Sequence, residues 1–138
     1  MNWHERYYSS IVKGDIVACR KITETYKYFV ETFPELETEW EYREDLVDHV
    51  ISFIETYLAL SKGKLQRIKL MEFQKATLSL MFGFVRKGTT IRKHSVTHFT
   101  VARKNGKSTF ASAIALYMLL ADGEHGAEIY SVARVVAL

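Results

Sequence analysis

The sequence has a single cysteine, Cys19, and a single proline, Pro34. One cysteine excludes a disulfide framework within the chain and suits a reducing compartment, so a cytoplasmic location is expected. One proline leaves most of the chain free to form unbroken helix. Long apolar runs are scarce too. The longest, Ala113 to Ala121, covers nine residues, against the ~20 needed to span a bilayer. The opening Met-Asn-Trp-His-Glu-Arg-Tyr-Tyr lacks the apolar core of a signal peptide. Neither a membrane protein nor a secreted disulfide scaffold is expected. The 138 residues, 48% apolar and 25% charged, have the composition of a folded domain, not a disordered one.

Each of two blocks nearly lacks charge of one sign. Between Glu31 and Asp48, eight acids (Glu31, Glu35, Glu37, Glu39, Glu41, Glu44, Asp45, Asp48) stand against one base, Arg43. Between Lys62 and Lys107, twelve bases stand against one acid, Glu72. The net charge of +3 hides this separation. A polyanion such as DNA or a nucleotide would meet the second block first. For any single lysine there, a solvated surface is the simpler reading.

Gly14-Asp15 suggests a helix start with Asp15 as cap. Ile16, Cys19, Ile22, Tyr26, Phe29, Val30 and Phe33 then form one apolar stripe, ended by Pro34. On that stripe Cys19 reads as a core residue. A second helix is expected from about Glu37 to Leu60, with the stripe Trp40, Leu46, Val50, Phe53, Ile54, Tyr57 and its acids opposite. Gly63 marks a turn. A third helix, Leu70 to Phe82, ends at Gly83, and a basic hairpin over 84–94 turns at Lys87-Gly88. His94 and His98 are four apart, a zinc spacing only on a helix, whereas here they fall in an expected strand.

The most informative run is Val-Ala-Arg-Lys-Asn-Gly-Lys-Ser-Thr at 101–109. Gly106-Lys107-Ser108 suits a nucleotide's phosphates: the glycine lets backbone N–H groups approach, the lysine reaches the β/γ oxygens and the serine hydroxyl ligates Mg²⁺. Upstream, Ser95 to Ala102 is rich in β-branched and aromatic residues, as a strand should be. Downstream, Thr109 to Ala121 is a run of helix formers. The order strand, loop, helix aims the helix N-terminus at the anion. The general pattern asks for a glycine at 101, where Val101 stands. A turn at Asp122–Gly126 and a second strand at 127–133 complete one parallel βαβ unit. The expected class is α/β, with a helical lead-in over 1–66 and an incomplete P-loop NTPase unit over 67–138.

Several segments together resemble the N-terminal part of the large terminase subunit of tailed bacteriophages, the motor that packages DNA into the capsid. They are Gly14 to Lys21, Glu72-Phe73-Gln74, Phe82-Gly83-Phe84, Ala102 to Ser108, Leu116-Tyr117, Asp122 to Glu124 and Ala127 to Ser131. The resemblance covers about residues 14–133, and that family's loop carries an arginine three residues before the glycine, as Arg103 does here. It implies ATP and Mg²⁺ as ligands, with Arg103, Lys104, Asn105, Gly106, Lys107, Ser108 and Thr109 forming the phosphate site. Lys107 would hold the β/γ-phosphates, Ser108 (helped by Thr109) the metal, and Arg103 the γ-phosphate side, where charge stabilises the transition state. Gln74 looks like the glutamine that reads adenine, with an exposed helix residue as the alternative reading. Implied partners are double-stranded DNA, the small terminase subunit and the portal, in the cytoplasm of a bacterial host.

Hydrolysis also needs an acid at the end of a second buried strand. Met118-Leu-Leu-Ala-Asp122 imitates that pattern but begins eleven residues after Lys107, on the helix the loop starts. Asp122 is therefore rejected as the metal acid. The chain is expected to be a fragment that binds nucleotide without turnover, and the strand at 127–133 to leave an unpaired edge through which it self-associates. The alternatives are a non-enzymatic module docking on a motor or portal through its acidic helix and basic hairpin, and, least favoured, a small kinase.

Overall fold

The computed structural model describes residues 1–59 and 66–132. Helix α1 spans Trp3–Lys13. It opens where the Asn2 N–H donates to the Glu5 carboxylate at 2.8 Å and closes at Gly14, whose φ of +84° suits glycine alone. Asp15 opens no helix: its N–H donates to Ser10 O at 3.0 Å, finishing α1. Regular structure resumes with α2 (Arg20–Lys27), a π-helical turn (Tyr28–Thr32) and α3 (Phe33–Leu36). Cys19 is exposed at the N-cap of α2, one residue short of the helix, so it shares no buried face. Pro34 ends nothing. It lies in the first turn of α3, where a missing N–H costs little.

The expected helix from 37 begins late. Residues Trp40–Tyr42 form strand β1, antiparallel to β2 (Phe84–Arg86), with Trp40 opposite Arg86 and Tyr42 opposite Phe84. Only after this pairing does α4 (Glu44–Tyr57) start. Its buried face is Val47, Val50, Ile51 and Ile54, whereas Tyr57 is 75% exposed. Helix α5 (Glu72–Phe82) ends at Gly83, where a Cβ would lie 2.5 Å from Ser79 O and against the Tyr42 ring. The hairpin turns at Lys87–Gly88 as expected, closed by Thr89 N–H to Arg86 O at 2.9 Å and Arg86 N–H to Ile91 O at 3.0 Å.

Helix α6 spans Lys107–Leu120. Its Phe110, Ala113 and Tyr117 meet α4 and α5 in the larger core, and Tyr7, Tyr26 and Ala76 form a smaller one among α1, α2 and α5. Apolar residues surround α6, yet Leu116, Leu119 and Leu120 are exposed.

The expected parallel strands are absent from the described residues: 95–102 and 127–132 form no ladder, and the one named sheet is the antiparallel β1–β2 pair. Parallel strands are stable when covered on both faces. Here Val96 is 85%, Tyr130 82% and Val132 96% exposed, so nothing among the described residues covers such a pair. Phe99 is half-buried against Phe110. The chain is thus a helix-rich mixed fold. The Gly63 turn and the last residue of the expected 127–133 strand lie outside the described residues. Among the described residues no helix is long and apolar enough to cross a membrane.

Candidate functional site

The run 103–109 folds as a tight loop leading into α6. Lys104 has a φ of +66°, the one left-handed non-glycine position among the described residues, and Gly106 follows at +70° as the N-cap of α6. Alternating left-handed positions turn successive N–H groups toward one side. The first helical hydrogen bond is Phe110 N–H to Gly106 O at 2.9 Å. The N–H groups of Lys107, Ser108 and Thr109 precede it and are the orphan donors of a helix start. Asn105 braces the loop from within, its Nδ2 donating to Ala102 O at 3.2 Å. Arg103 through Thr109 are all exposed, and Phe110 is buried as the anchor beneath them.

Elsewhere in the basic block, Lys75, Arg86, Arg92 and Lys93 are paired with acids, two of which come from the acidic block. Lys93 Nζ lies 3.1 Å from Glu37 and sits over the rings of Phe33 and Trp40, at 4.8 and 4.9 Å from their centroids. Arg86 meets Glu39 at 3.5 Å, and Lys75 meets Glu55 at 3.0 Å. Arg92 Nη1 donates to both carboxylate oxygens of Asp122, at 2.8 and 2.7 Å, tying the hairpin to the far end of α6. Among the described residues, Arg103, Lys104 and Lys107 have no such acid. Three cations beside orphan N–H donors attract an anion of high charge density.

Gln74, left open between two readings, is 9% exposed, so the exposed-residue alternative falls. It faces inward because α5 packs that side against the loop and α4. Its Oε1 accepts the Met71 N–H at 2.9 Å, capping α5. Its Nε2 lies 3.9 Å from where a Cβ on Gly106 would stand. The adjacent face of α5, with Phe73 and Thr77, lines a groove of about 800 Å³ shared with α2 and residues 94–102. His94 sits at the same groove and bonds Leu80 O through Nδ1 at 2.8 Å. Among the described residues no three His, Cys, Asp or Glu side chains gather as a metal site.

One polar cluster had no local signal. His4 Nδ1 and Tyr42 Oη share hydrogen bonds with Ser79 Oγ at 2.8 and 2.7 Å, joining α1, β1 and α5. Burial lowers the His4 pKa to about 4, so the ring is neutral at physiological pH, and raises the Tyr42 phenol to about 12. The partners of Ser79 lie 75 and 37 residues away in sequence, beyond any spacing rule.

Residues 72–135 match the family model of the terminase large subunit, ATPase domain. No curated protein and no solved structure matches the chain. The matched segment holds α5, the hairpin from β2 onward, the loop and α6. Residues 72–135 are thus similar to the ATPase domain of the terminase large subunit family.

Proposed function

We propose that this chain binds ATP with Mg²⁺ through the loop 103–109 and forms part of the nucleotide-handling unit of a bacteriophage DNA-packaging motor. The observation that carries this is the concentration of unpaired cations, left-handed backbone and orphan N–H donors at the start of α6. Such a donor set fits a triphosphate. Lys107 would contact the β/γ oxygens, Arg103 the γ-phosphate side, and the N–H groups of Lys107, Ser108 and Thr109 the remaining oxygens, with Lys104 and Asn105 shaping the loop. Mg²⁺ accepts few protein ligands and keeps water and phosphate oxygens, so the Ser108 hydroxyl, helped by Thr109, suffices on the protein side. A metal held by Ser108 would supply positive charge to offset that of the phosphates. Asp122 is engaged by Arg92 and takes no part in this reading.

Double-stranded DNA, a small terminase subunit and the portal are the partners proposed from the similarity of residues 72–135 to that family, in the cytoplasm of a bacterial host. The strand edge through which self-association was expected is not formed at 127–132, and the exposed leucines of α6 are the remaining surface for it, because apolar faces seek cover. The rival reading, docking through a free acidic helix and a free basic hairpin, loses support where Glu37 and Glu39 are already engaged by Lys93 and Arg86. Melting the 138-residue chain with and without Mg-ATP tests the proposal. Stabilisation that disappears in Lys107→Ala is expected; no stabilisation of the wild type at millimolar nucleotide would refute it.

A further inference from the structure

We propose that Asn105 is a site of spontaneous covalent modification: the Gly106 main-chain nitrogen displaces its side-chain amide, leaving a carboxylate that weakens anion binding in the loop 103–109. The effect on binding rests on the nucleotide reading above; the modification itself does not. Asn105-Gly106 is the one Asn-Gly pair in the sequence, and the chain has a single further asparagine, Asn2. Attack on an asparagine Cγ by the nitrogen that follows is hindered by a side chain on the next residue, and glycine has none.

The fold leaves this position open to the step. Asn105 and Gly106 are both exposed, and among the described residues no main-chain carbonyl accepts the Gly106 N–H. That nitrogen stands in sequence between Lys104 and Lys107, at the positive end of α6, and neither lysine is paired with an acid among the described residues. Such a field favours the amide anion that attacks. The Asn105 side chain is held by Nδ2 donating to Ala102 O at 3.2 Å, on a surface where water can replace it. Two other positions lack this freedom. Asn2 precedes the bulky Trp3. Asp122 precedes Gly123, yet Arg92 Nη1 holds both its carboxylate oxygens at 2.8 and 2.7 Å.

The step needs only water. A bond from Gly106 N to Asn105 Cγ forms, the bond from Cγ to Nδ2 breaks, and the Gly106 proton leaves with that nitrogen as ammonia. The cyclic imide then takes up water. Opening at Cγ yields aspartate; opening at the main-chain carbonyl carbon yields isoaspartate, with an extra methylene in the main chain. Either product loses the Nδ2 donor that bonds Ala102 O and adds a negative charge beside Arg103, Lys104 and Lys107.

The test incubates the full 138-residue chain at mildly alkaline pH and maps it by peptide mass spectrometry. A free peptide of residues 101–109 and the variant Asn105→Gln, whose longer side chain disfavours ring closure, run beside it. Expected is the mass gain of a hydroxyl replacing an amino group at Asn105, absent at Asn2 and in the variant, at a rate within about tenfold of the free peptide. An Asn105 amide still intact once the peptide is fully converted would overturn the proposal. The converted chain, separated by ion exchange, and Asn105→Asp are then titrated with tripolyphosphate and Mg-ATP in calorimetry. Both should bind at least about tenfold more weakly than the fresh chain, as an added negative charge among these cations implies. Equal affinity would also overturn it. If Asn105 converts while the fresh chain binds neither ligand, the modification site stands and the nucleotide reading falls.

Discussion

Around the β1–β2 pair and the hairpin that continues from β2, Lys93 meets Glu37 at 3.1 Å, Arg92 meets Asp122 at 2.7 Å and Arg86 meets Glu39 at 3.5 Å. At the start of α6, Arg103, Lys104 and Lys107 stand exposed with no acid in reach among the described residues. Both groups come from one basic block of the sequence. Folding therefore separates cations that are held by acids from cations that stand exposed. The same contrast holds for the backbone: hairpin N–H groups are paired, while residues 95–101 and 127–132 form no ladder.

The paired region should fail first at Gly83. Gly83→Val drives its Cβ against Ser79 O and the Tyr42 ring, and a loss of about 3 kcal/mol or more is expected in urea denaturation. A wild-type midpoint in that variant would mean the α5–β1 contact is loose. Next comes His4, whose pKa of about 4 in the folded chain lies below its ordinary 6.5. The unfolded chain takes up the proton more readily, so stability is whole above pH 6.5 and falls as pH drops toward 4. At pH 5 about 2 kcal/mol should be gone relative to pH 8. Denaturation at the two pH values, repeated on His4→Gln, measures it; an equal drop in the variant would acquit His4.

The ion pairs sharpen the contrast further. Asp122 and Arg92 are 11% and 27% exposed at their side chains, so Arg92→Ala should cost about 1–2 kcal/mol, whereas Arg86 and Glu39 are both 58% exposed and Arg86→Ala should cost under about 0.5. Thermal melts of both variants side by side give the comparison, and equal costs would erase it. The smallest change is expected at the loop. Lys107→Ala should leave ligand-free stability within about 0.5 kcal/mol, since the lysine supports no internal contact there. A large loss would move Lys107 into the structural group.

Local signals were legible in the sequence and distant ones were not. Gly83 and Lys87-Gly88 marked the end of α5 and the hairpin turn because a glycine acts where it stands. Asn2, Glu5 and Gly14 carry the bounds of α1 just as openly. Strand β1 was hidden, because Trp40-Glu41-Tyr42 becomes a strand only when Phe84–Arg86 lies beside it. The loop 103–109 is contiguous, so its position at the head of a helix could be read directly. That Gln74 borders Gly106, and that His4 and Tyr42 share Ser79, depends on how α5 packs against its neighbours, and no periodicity encodes it.

The π-helical turn at Tyr28–Thr32 acts as a gear change between α2 and α3. A turn of this width holds one residue more than an α-helical turn, which advances everything after it by roughly 100° around the axis. Tyr26 before the turn packs on Tyr7, while Phe29 and Phe33, within and after it, both reach Phe84. The lead-in thereby serves the smaller core and the aromatic rings around Phe84 with one continuous coil. The number of residues in that turn, more than their identity, sets which aromatic rings meet the hairpin.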